Sequence, residues 1–277
     1  MLFFKKKTVA DMHTHSEHSH DSVCPIEDMV LAQIEKGTGI FAVTNHCDVY
    51  SYNDYDIFTP LKKAWEEVQE LNKKYKGKCL LLSGVEVSEG FWFLKEYQKA
   101  LSLCKYDVVI GSVHCVLYKD LTCAYSKIDF SKMPDEEIYA YLDAYFNDVL
   151  TMLSFRDIDV LAHLDCPLRY IKAKFKKDID MTRFDGKIEQ ILRFVINQKI
   201  AFEVNTSSYK LLSDTMPSKR ILQKYYNMGG RMLTLGSDAH SVEGASVDFD
   251  KVLLILKEIG FKKLYYFKNR KKKFYKI

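Results

Sequence analysis

The strongest constraint on the fold is a regular alternation of short apolar runs with amphipathic segments. Seven runs of strand length recur, at residues 9–13, 40–45, 79–87, 106–113, 158–162, 200–204 and 232–235. Between them lie segments of helical periodicity, near 25–37, 58–76, 91–104, 134–154, 182–198, 217–228 and 248–259. Strands that are apolar throughout and alternate with helices are typical of a parallel sheet buried on both faces.

The length of the chain favours a barrel. It has 277 residues, and single-domain α/β barrels have roughly 250. Seven β/α units suit a closed sheet better than an open one, and no glycine-rich dinucleotide fingerprint follows the first strand. We therefore predict an α/β fold, a distorted (β/α)7 TIM-like barrel, as a single domain over residues 1–277. A basic C-terminal extension at about 261–277 is predicted to form a short hairpin.

The charge of the chain is unevenly distributed. The net charge is +4, from 41 Lys and Arg against 37 Asp and Glu. Residues 262–277 hold eight of the basic residues and no acid, which leaves 33 against 37 in the rest. We therefore expect this basic C-terminal segment to be a solvated surface rather than a binding site for nucleic acid.

Other features of the composition bear on location. No apolar run approaches the ~18 residues of a membrane span. Residues 1–10 lack the apolar core of a signal peptide. The seven cysteines are odd in number and form no CxxC pair, so reduced thiols are expected. We expect a cytoplasmic protein without a membrane partner.

All eight histidines occur in five clusters, and each cluster closes an apolar run. The clusters are DMHTHSEHSHD at 11–21, TNHCD at 44–48, GSVH at 111–114, AHLD at 162–165 and GSDAH at 236–240. Glu86 ends a further run. The active sites of β/α barrels lie at the C-terminal ends of the strands. A single histidine there is usually a hydrogen-bonded structural residue, but the whole set predicts a site.

The spacing within these clusters predicts metal ligands. His13 and His15 lie two residues apart, so on a strand they point the same way, and Asp238 and His240 repeat the pattern. Imidazole and carboxylate ligands together suit zinc, iron or manganese. Six strands supply candidate ligands, more than one tetrahedral ion can use. We predict two or three divalent metal ions, with Glu86 as a bridge.

The ordered motifs resemble the polymerase-and-histidinol-phosphatase (PHP) family. They are HTH with a downstream Asp, TNHCD, GVEVS, GSVH, AHLD and GSDAH, and the resemblance runs from Asp11 to about Asp250. The strings HTHSEHSHDS, AHLDCPLRY and FEVNTSS are most similar to the monofunctional histidinol-phosphate phosphatases of this family. The resemblance implies a distorted (β/α)7 barrel with a trinuclear metal centre.

The resemblance also implies which residues bind each metal. The first metal would take His13, His15, Glu86 and Asp238; the second Glu86, His114 and His163; the third His46, His240 and one residue of the first loop. That last ligand is Asp21 or its neighbour His20, and we favour Asp21. Asn45 stands where the family commonly has Asp.

The reaction implied is hydrolysis of a phosphomonoester. The positive charge of three divalent ions exceeds the negative charge of the three carboxylates of the site, so the centre favours a phosphate dianion. A metal-bridging hydroxide would attack in line. The expected substrate is L-histidinol phosphate, which would yield L-histidinol and phosphate in histidine biosynthesis. Asp165 or Asp48 would orient a ligand histidine or protonate the leaving alkoxide, and the sequence does not separate these roles.

Four further residues are predicted to contact the substrate. Arg169 is the predicted phosphate clamp, because its planar guanidinium matches phosphate oxygens. Lys210 is a second candidate clamp. Ser112 lies close to the site by sequence, and His20 is the alternative to Asp21 noted above.

Three other functions stay open at this point. A PHP-family enzyme could act on a nucleotide, a nucleic-acid end or phosphotyrosine. An amidohydrolase-like barrel also starts with HxH, but it would need a lysine where this chain has His114, and it would not need Glu86. A metal-storage or regulatory protein with a relict site is the third. The physiological metal and the oligomeric state also stay open.

Overall fold

The computed structural model describes residues 9–155 and 157–277. Seven parallel strands form the barrel in the order β1-β2-β4-β5-β6-β7-β8, and β3 pairs with the end of β4. The strands are β1 (Ala10–Thr14), β2 (Ile40–Val43), β3 (His46–Asp48), β4 (Leu80–Ser88), β5 (Val108–Ser112), β6 (Val160–Leu161), β7 (Ala201–Asn205) and β8 (Leu233–Gly236). The predicted α/β barrel is therefore confirmed; β3, the extra strand, was not predicted.

The barrel closes between β1 and the chain that follows β8. The His15 N–H donates to the Ala239 carbonyl at 2.8 Å, and the Asp238 N–H donates to the His13 carbonyl, also at 2.8 Å. The buried Asp11 carboxylate accepts from the Ser237 N–H at 2.9 Å. Closure thus places the HxH sequence of the first strand beside the DxH sequence that follows the last.

Helices connect successive strands, as the apolar periodicity predicts. They are α1 (Ile26–Lys36), α2 (Phe58–Lys74), α3 (Leu94–Leu103), α4 (Asp135–Ser154), α5 (Asp185–Gln198), α6 (Tyr209–Leu212), α7 (Lys219–Asn227) and α8 (Phe249–Ile259). Each long helix buries one apolar stripe, as α7 does with Ile221, Leu222 and Tyr225. The short α6 and a π-helical turn at Arg169–Lys174 were not predicted. No helix in the described part of the chain is long and apolar enough to cross a bilayer.

The basic C-terminal segment forms the predicted hairpin. Strands β9 (Lys263–Lys268) and β10 (Lys271–Lys276) pair antiparallel. At the turn, the Asn269 N–H donates to the Asp107 carboxylate at 2.8 Å, and Arg270 pairs with Asp159. These two aspartates precede β5 and β6, so the hairpin packs against the N-terminal ends of the strands, opposite the histidines.

Candidate metal centre

Seven of the eight histidines meet at the C-terminal ends of the barrel strands, beside a cleft of about 530 Å³. Their rings pack directly on one another: the centroids of His15 and His240 are 4.1 Å apart, and those of His114 and His163 are 5.5 Å apart. His18 lies apart from them, where its Nε2 is 3.0 Å from Glu67 of α2. The strand ends therefore converge as predicted, and His18 takes no part in the cluster.

One group of donor atoms comes from β1, β4 and the loop after β8. The His15 Nε2 lies 3.2 Å from the Asp238 Oδ1, and the His13 Nε2 lies 3.7 Å from the same oxygen. The His13 Nε2 is also 3.1 Å from the Glu86 Oε2. Ligand atoms around a tetrahedral zinc ion lie ~3.4 Å apart, because each bond is ~2.1 Å long. The four side chains thus have the spacing that one ion requires.

Glu86 lies at the centre of the cluster and is fully buried. Its Oε2 faces the β1 histidines, at 3.1 Å from the His13 Nε2 and 3.5 Å from the His15 Nε2, and it also lies 2.9 Å from the His46 Nδ1. Its Oε1 faces another pair, at 2.9 Å from the His163 Nε2 and 3.3 Å from the His114 Nε2. The two oxygens of one carboxylate therefore face two donor groups, which is the arrangement of a bridging ligand.

A third group of donors includes the first loop. The Asp21 Oδ2 is 3.2 Å from the His240 Nε2 and 3.5 Å from the His46 Nε2. His20 also lines the cleft, but its Nδ1 lies toward Asp48, at 3.8 Å from the Oδ2. The geometry therefore favours Asp21 over His20 as the third donor of this group.

The residues of the cluster fit metal ions. The buried polar atoms that find no hydrogen-bond partner within residues 9–155 and 157–277 include His13 Nε2, His15 Nε2, His46 Nδ1 and Glu86 Oε2. Buried polar atoms are nearly always paired in folded proteins, and these atoms converge on one volume. Nitrogen and oxygen donors of this kind suit zinc, iron or manganese.

The carboxylates of the cluster are held in their ionised form. Burial by itself would raise the pKa of Glu86, but the adjacent His13, His114 and His46 hold that pKa well below its usual range. The pKa of Asp238 is lowered in the same way, by His13 and His15 against the effect of burial. Ionised carboxylates are the form that binds cations.

A second layer of hydrogen bonds orients the imidazole rings. In four histidines the Nδ1 contacts a fixed oxygen, so the Nε2 points into the cluster. The pairs are His13 with Glu203 Oε1 at 2.6 Å, His15 with Ser19 Oγ at 3.1 Å, His114 with Asp48 Oδ1 at 2.9 Å and His240 with the Asp238 carbonyl at 2.9 Å. Asp48 therefore has the geometry of an orienting residue, one of the two roles that the sequence left open.

Glu203 is a site residue that sequence reasoning missed. It lies on β7, is fully buried, and accepts a hydrogen bond from the His163 N–H at 2.8 Å in addition to its contact with His13. The signal was present in the string FEVN at 202–205, where a carboxylate interrupts an apolar strand. A buried carboxylate inside a barrel needs a partner, and here the partners are the two histidines.

Asn45, the residue that departs from the common family pattern, organises the first loop. Its Oδ1 accepts from the Ser16 N–H at 2.8 Å and from the Ser19 hydroxyl at 3.1 Å. Its Nδ2 donates to the Ser16 Oγ at 2.9 Å. The amide uses its donor and its acceptor together, which an ionised aspartate at this position could not do.

Arg169 lines the cleft beside the cluster. It begins the π-helical turn and is partly buried, and the one hydrogen bond of its guanidinium among the described residues is a contact of 3.4 Å from Nη1 to the Ser207 Oγ. No carboxylate in the described part of the chain forms a salt bridge with it. An unpaired guanidinium in a cleft is a ready site for an anion.

Three predicted residues lie outside the cleft. Asp165 is buried, and its Oδ2 accepts from the Ser218 N–H at 3.0 Å at the start of α7. Burial raises the pKa of Asp165 to about 7. The turn from His163 to Cys166 directs Asp165 away from the cluster, so the structure gives no support to a catalytic role.

Lys210 and Ser112 are also separate from the cleft. Lys210 is exposed on α6 and lines another groove with Lys36 and Thr38, because α6 turns it outwards. Ser112 is the last residue of β5 and is buried, and its hydroxyl has no hydrogen-bond partner among the described residues. The structure therefore does not bring either residue to the cleft where a substrate would bind.

Comparisons with known proteins agree with this geometry. The family model of the PHP domain matches residues 11–207. A probable histidinol-phosphatase of Clostridium acetobutylicum is 29% identical over 266 residues, covering 94% of this chain and 98% of the relative. A probable histidinol-phosphatase of Thermotoga maritima is 30% identical over 255 residues, covering 92% and 94%.

A solved structure shows the same fold. It is the histidinol phosphate phosphatase of Lactococcus lactis complexed with zinc, L-histidinol and phosphate, with a TM-score of 0.76 and 24% identity. The match covers 97% of this chain and 99% of that one. From the family model, the relatives and the barrel together, this chain belongs to the PHP domain family.

Proposed function

We propose that this chain is a metal-dependent phosphomonoesterase that hydrolyses L-histidinol phosphate to L-histidinol and phosphate. The observation that carries the proposal is the position of Glu86. Its two oxygens face two groups of donors, and the adjacent cleft holds the guanidinium of Arg169, which forms no salt bridge within the described residues. Adjacent metal sites beside an anion clamp are the elements that phosphoester hydrolysis needs.

The residues of the chain would divide the work as follows. His13, His15 and Asp238 would hold one ion and His114 and His163 another, with Glu86 between them. The third would be held by His46, His240 and Asp21. When bound, such ions acidify a water molecule and offset charge on the phosphoryl oxygens. Arg169 would bind the phosphate oxygens through its planar fork, and Asp48 would keep the His114 ring in place.

Two features of the cleft suit the phosphate ester of an alcohol that carries a cationic group and an aromatic ring. The rings of Tyr125 and Tyr170, with centroids 5.5 Å apart, line one wall. Glu243 also lines the cleft and forms no salt bridge within the described residues. A phosphate ester of histidinol carries an imidazole and an ammonium, which suit the tyrosines and Glu243 respectively. Both sequence relatives described above bear the name of probable histidinol-phosphatases.

The experiment that tests the proposal measures phosphate release from a panel of esters. The panel holds L-histidinol phosphate, a nucleoside monophosphate, phosphotyrosine and p-nitrophenyl phosphate, with metal analysis of the same preparation. We expect the highest kcat/KM for L-histidinol phosphate, and loss of activity on chelation. Equal turnover of another ester would overturn the substrate assignment, and no release from any ester would overturn the reaction class.

A further inference from the structure

A second buried carboxylate, Glu89, comes directly after β4 and three residues after Glu86. Its side chain is fully buried. Its Oε1 accepts hydrogen bonds from two successive backbone N–H groups, those of His114 at 2.5 Å and Cys115 at 3.0 Å. One carboxylate thus joins the chain after β4 to the chain after β5.

Those two N–H groups have left the sheet and need partners. β5 ends at Ser112, so the ladder with its neighbours no longer satisfies the backbone of His114 and Cys115. Buried backbone donors are nearly always paired in folded proteins. Glu89 supplies the pairing, as a capping residue does at the start of a helix.

The turn that carries Glu89 is held in an uncommon conformation. Glu89 has a φ of +48°, which a residue with a side chain rarely adopts. The next residue, Gly90, lies against the ring of Tyr97, where an added Cβ would fall 2.1 Å from a ring carbon. Surrounding contacts therefore fix the turn, and the turn fixes the position of the carboxylate.

Other contacts of His114 complete its immobilisation. Its carbonyl accepts from the Tyr125 N–H at 2.9 Å. Its ring Nδ1 contacts the Asp48 Oδ1, also at 2.9 Å. The N–H, the carbonyl and the ring of His114 are thus each held by a different element, and Glu89 holds the first.

We propose that Glu89 is a positioning residue of the metal centre, which sets the place of His114 by accepting its backbone N–H. The inference rests on the proposed function, because it takes His114 as a metal ligand. Glu89 does not line the cleft, and its hydrogen bonds to His114 and Cys115 are both to the main chain. What the site requires of it is an acceptor oxygen at this position rather than a charge.

The test compares Glu89→Ala with Glu89→Gln, because glutamine keeps the acceptor oxygen and loses the charge. The measurement is zinc affinity by competition with a chromophoric chelator, together with bound zinc per chain. Loss of a residue that supports a ligand costs about 10- to 100-fold in metal affinity. We expect a loss of this size for the weakest site in Glu89→Ala and near wild-type affinity in Glu89→Gln.

A control for general destabilisation is Val149→Ala, which shortens a buried side chain of α4 outside the cluster. It should lower thermal stability and leave zinc affinity unchanged. Wild-type zinc affinity in Glu89→Ala, or equal losses in Glu89→Ala and Glu89→Gln, would overturn the inference. Failure of the proposed function would differ, since the wild-type chain itself would then bind no zinc or release no phosphate.

Discussion

At the scale of single residues, function depends on which atom of a side chain is left free. Each oriented imidazole uses its Nδ1 for a fixed oxygen and leaves its Nε2 for the cluster, as His13 does with Glu203. Arg169 leaves nearly its whole guanidinium free, since its one hydrogen bond among the described residues is to Ser207. The free atoms, rather than the residue types alone, define the site.

Replacement of Arg169 by alanine should weaken substrate binding. A charge-assisted hydrogen bond contributes about 1.5–3 kcal/mol, so steady-state kinetics should show KM for L-histidinol phosphate raised about 10- to 100-fold. Bound metal should stay at the wild-type level. Arg169→Lys is the control: it keeps the charge but loses the fork, and should show an intermediate KM. An unchanged KM in Arg169→Ala would contradict the clamp.

Glu243 should affect the choice of substrate rather than the reaction. It is exposed at the edge of the cleft, and exposed ionic contacts contribute about 0.2–1 kcal/mol. Glu243→Gln should therefore raise KM for L-histidinol phosphate about 1.4- to 5-fold. KM for p-nitrophenyl phosphate, which has no ammonium group, should not change and serves as the internal control. Equal effects on both esters would argue against an ammonium contact.

At the scale of elements, close approach of strands limits which residues the site tolerates. Gly236 of β8 lies where an added Cβ would be 2.2 Å from the Glu203 Oε1 and 2.7 Å from the His13 Cβ. Strands β1, β7 and β8 thus meet with no room for a methyl group. Glu203 and His13 are themselves in contact, with the Glu203 Oε1 2.6 Å from the His13 Nδ1, so the packing of the strands and the orientation of the ligand are coupled.

Gly236→Ala should therefore damage stability and metal binding together. Overpacking in a core costs about 1–3 kcal/mol of unfolding free energy, and displacement of Glu203 should lower zinc affinity. Urea denaturation and chelator competition measure the two effects. Gly186→Ala is the matched control, because a Cβ there meets nothing within 4 Å and alanine favours the helix α5. Wild-type stability and zinc affinity in Gly236→Ala would refute the coupling.

At the scale of the whole molecule, the two ends of the barrel have different tasks. The C-terminal ends of the strands carry the histidine cluster, whereas the basic hairpin covers the N-terminal ends. Leu264 and Phe267 of β9 are buried, and the Tyr275 hydroxyl reaches the Ala10 carbonyl at 3.5 Å. The lysines at 271–273 are exposed, in agreement with the expectation of a solvated tail.

This separation predicts that damage to the hairpin lowers stability without changing catalysis. Leu264 is fully buried, and replacement of a buried leucine by alanine costs about 2–5 kcal/mol. Thermal unfolding of Leu264→Ala should show this loss, while kcat/KM measured well below the transition stays at the wild-type value. Leu254→Ala, at a position that is 60% exposed on α8, is the control. A clear fall in the kcat/KM of Leu264→Ala under these conditions would contradict the separation.

The sequence by itself determined the barrel and the end at which the site lies. Apolar runs and helical periodicity depend on which faces are buried, and burial leaves a record in residue type. The two-residue period of a strand placed His13 and His15 on one side. Because the other motifs also follow apolar runs, they were expected at the same end of the barrel. For these reasons the strands, the helices, the hairpin and the convergence of seven histidines were predictable.

Only the tertiary structure decided how residues beyond the strand ends point. Asp165 follows a ligand candidate by two residues, yet it faces the start of α7, because a turn, unlike a strand, has no fixed side-chain period. Lys210 faces outwards on α6, a short helix that the sequence did not predict. Glu203 and Glu89 contact histidines distant in sequence, and such contacts exist only once the strands have assembled. Long-range packing, which local sequence does not encode, sets their direction.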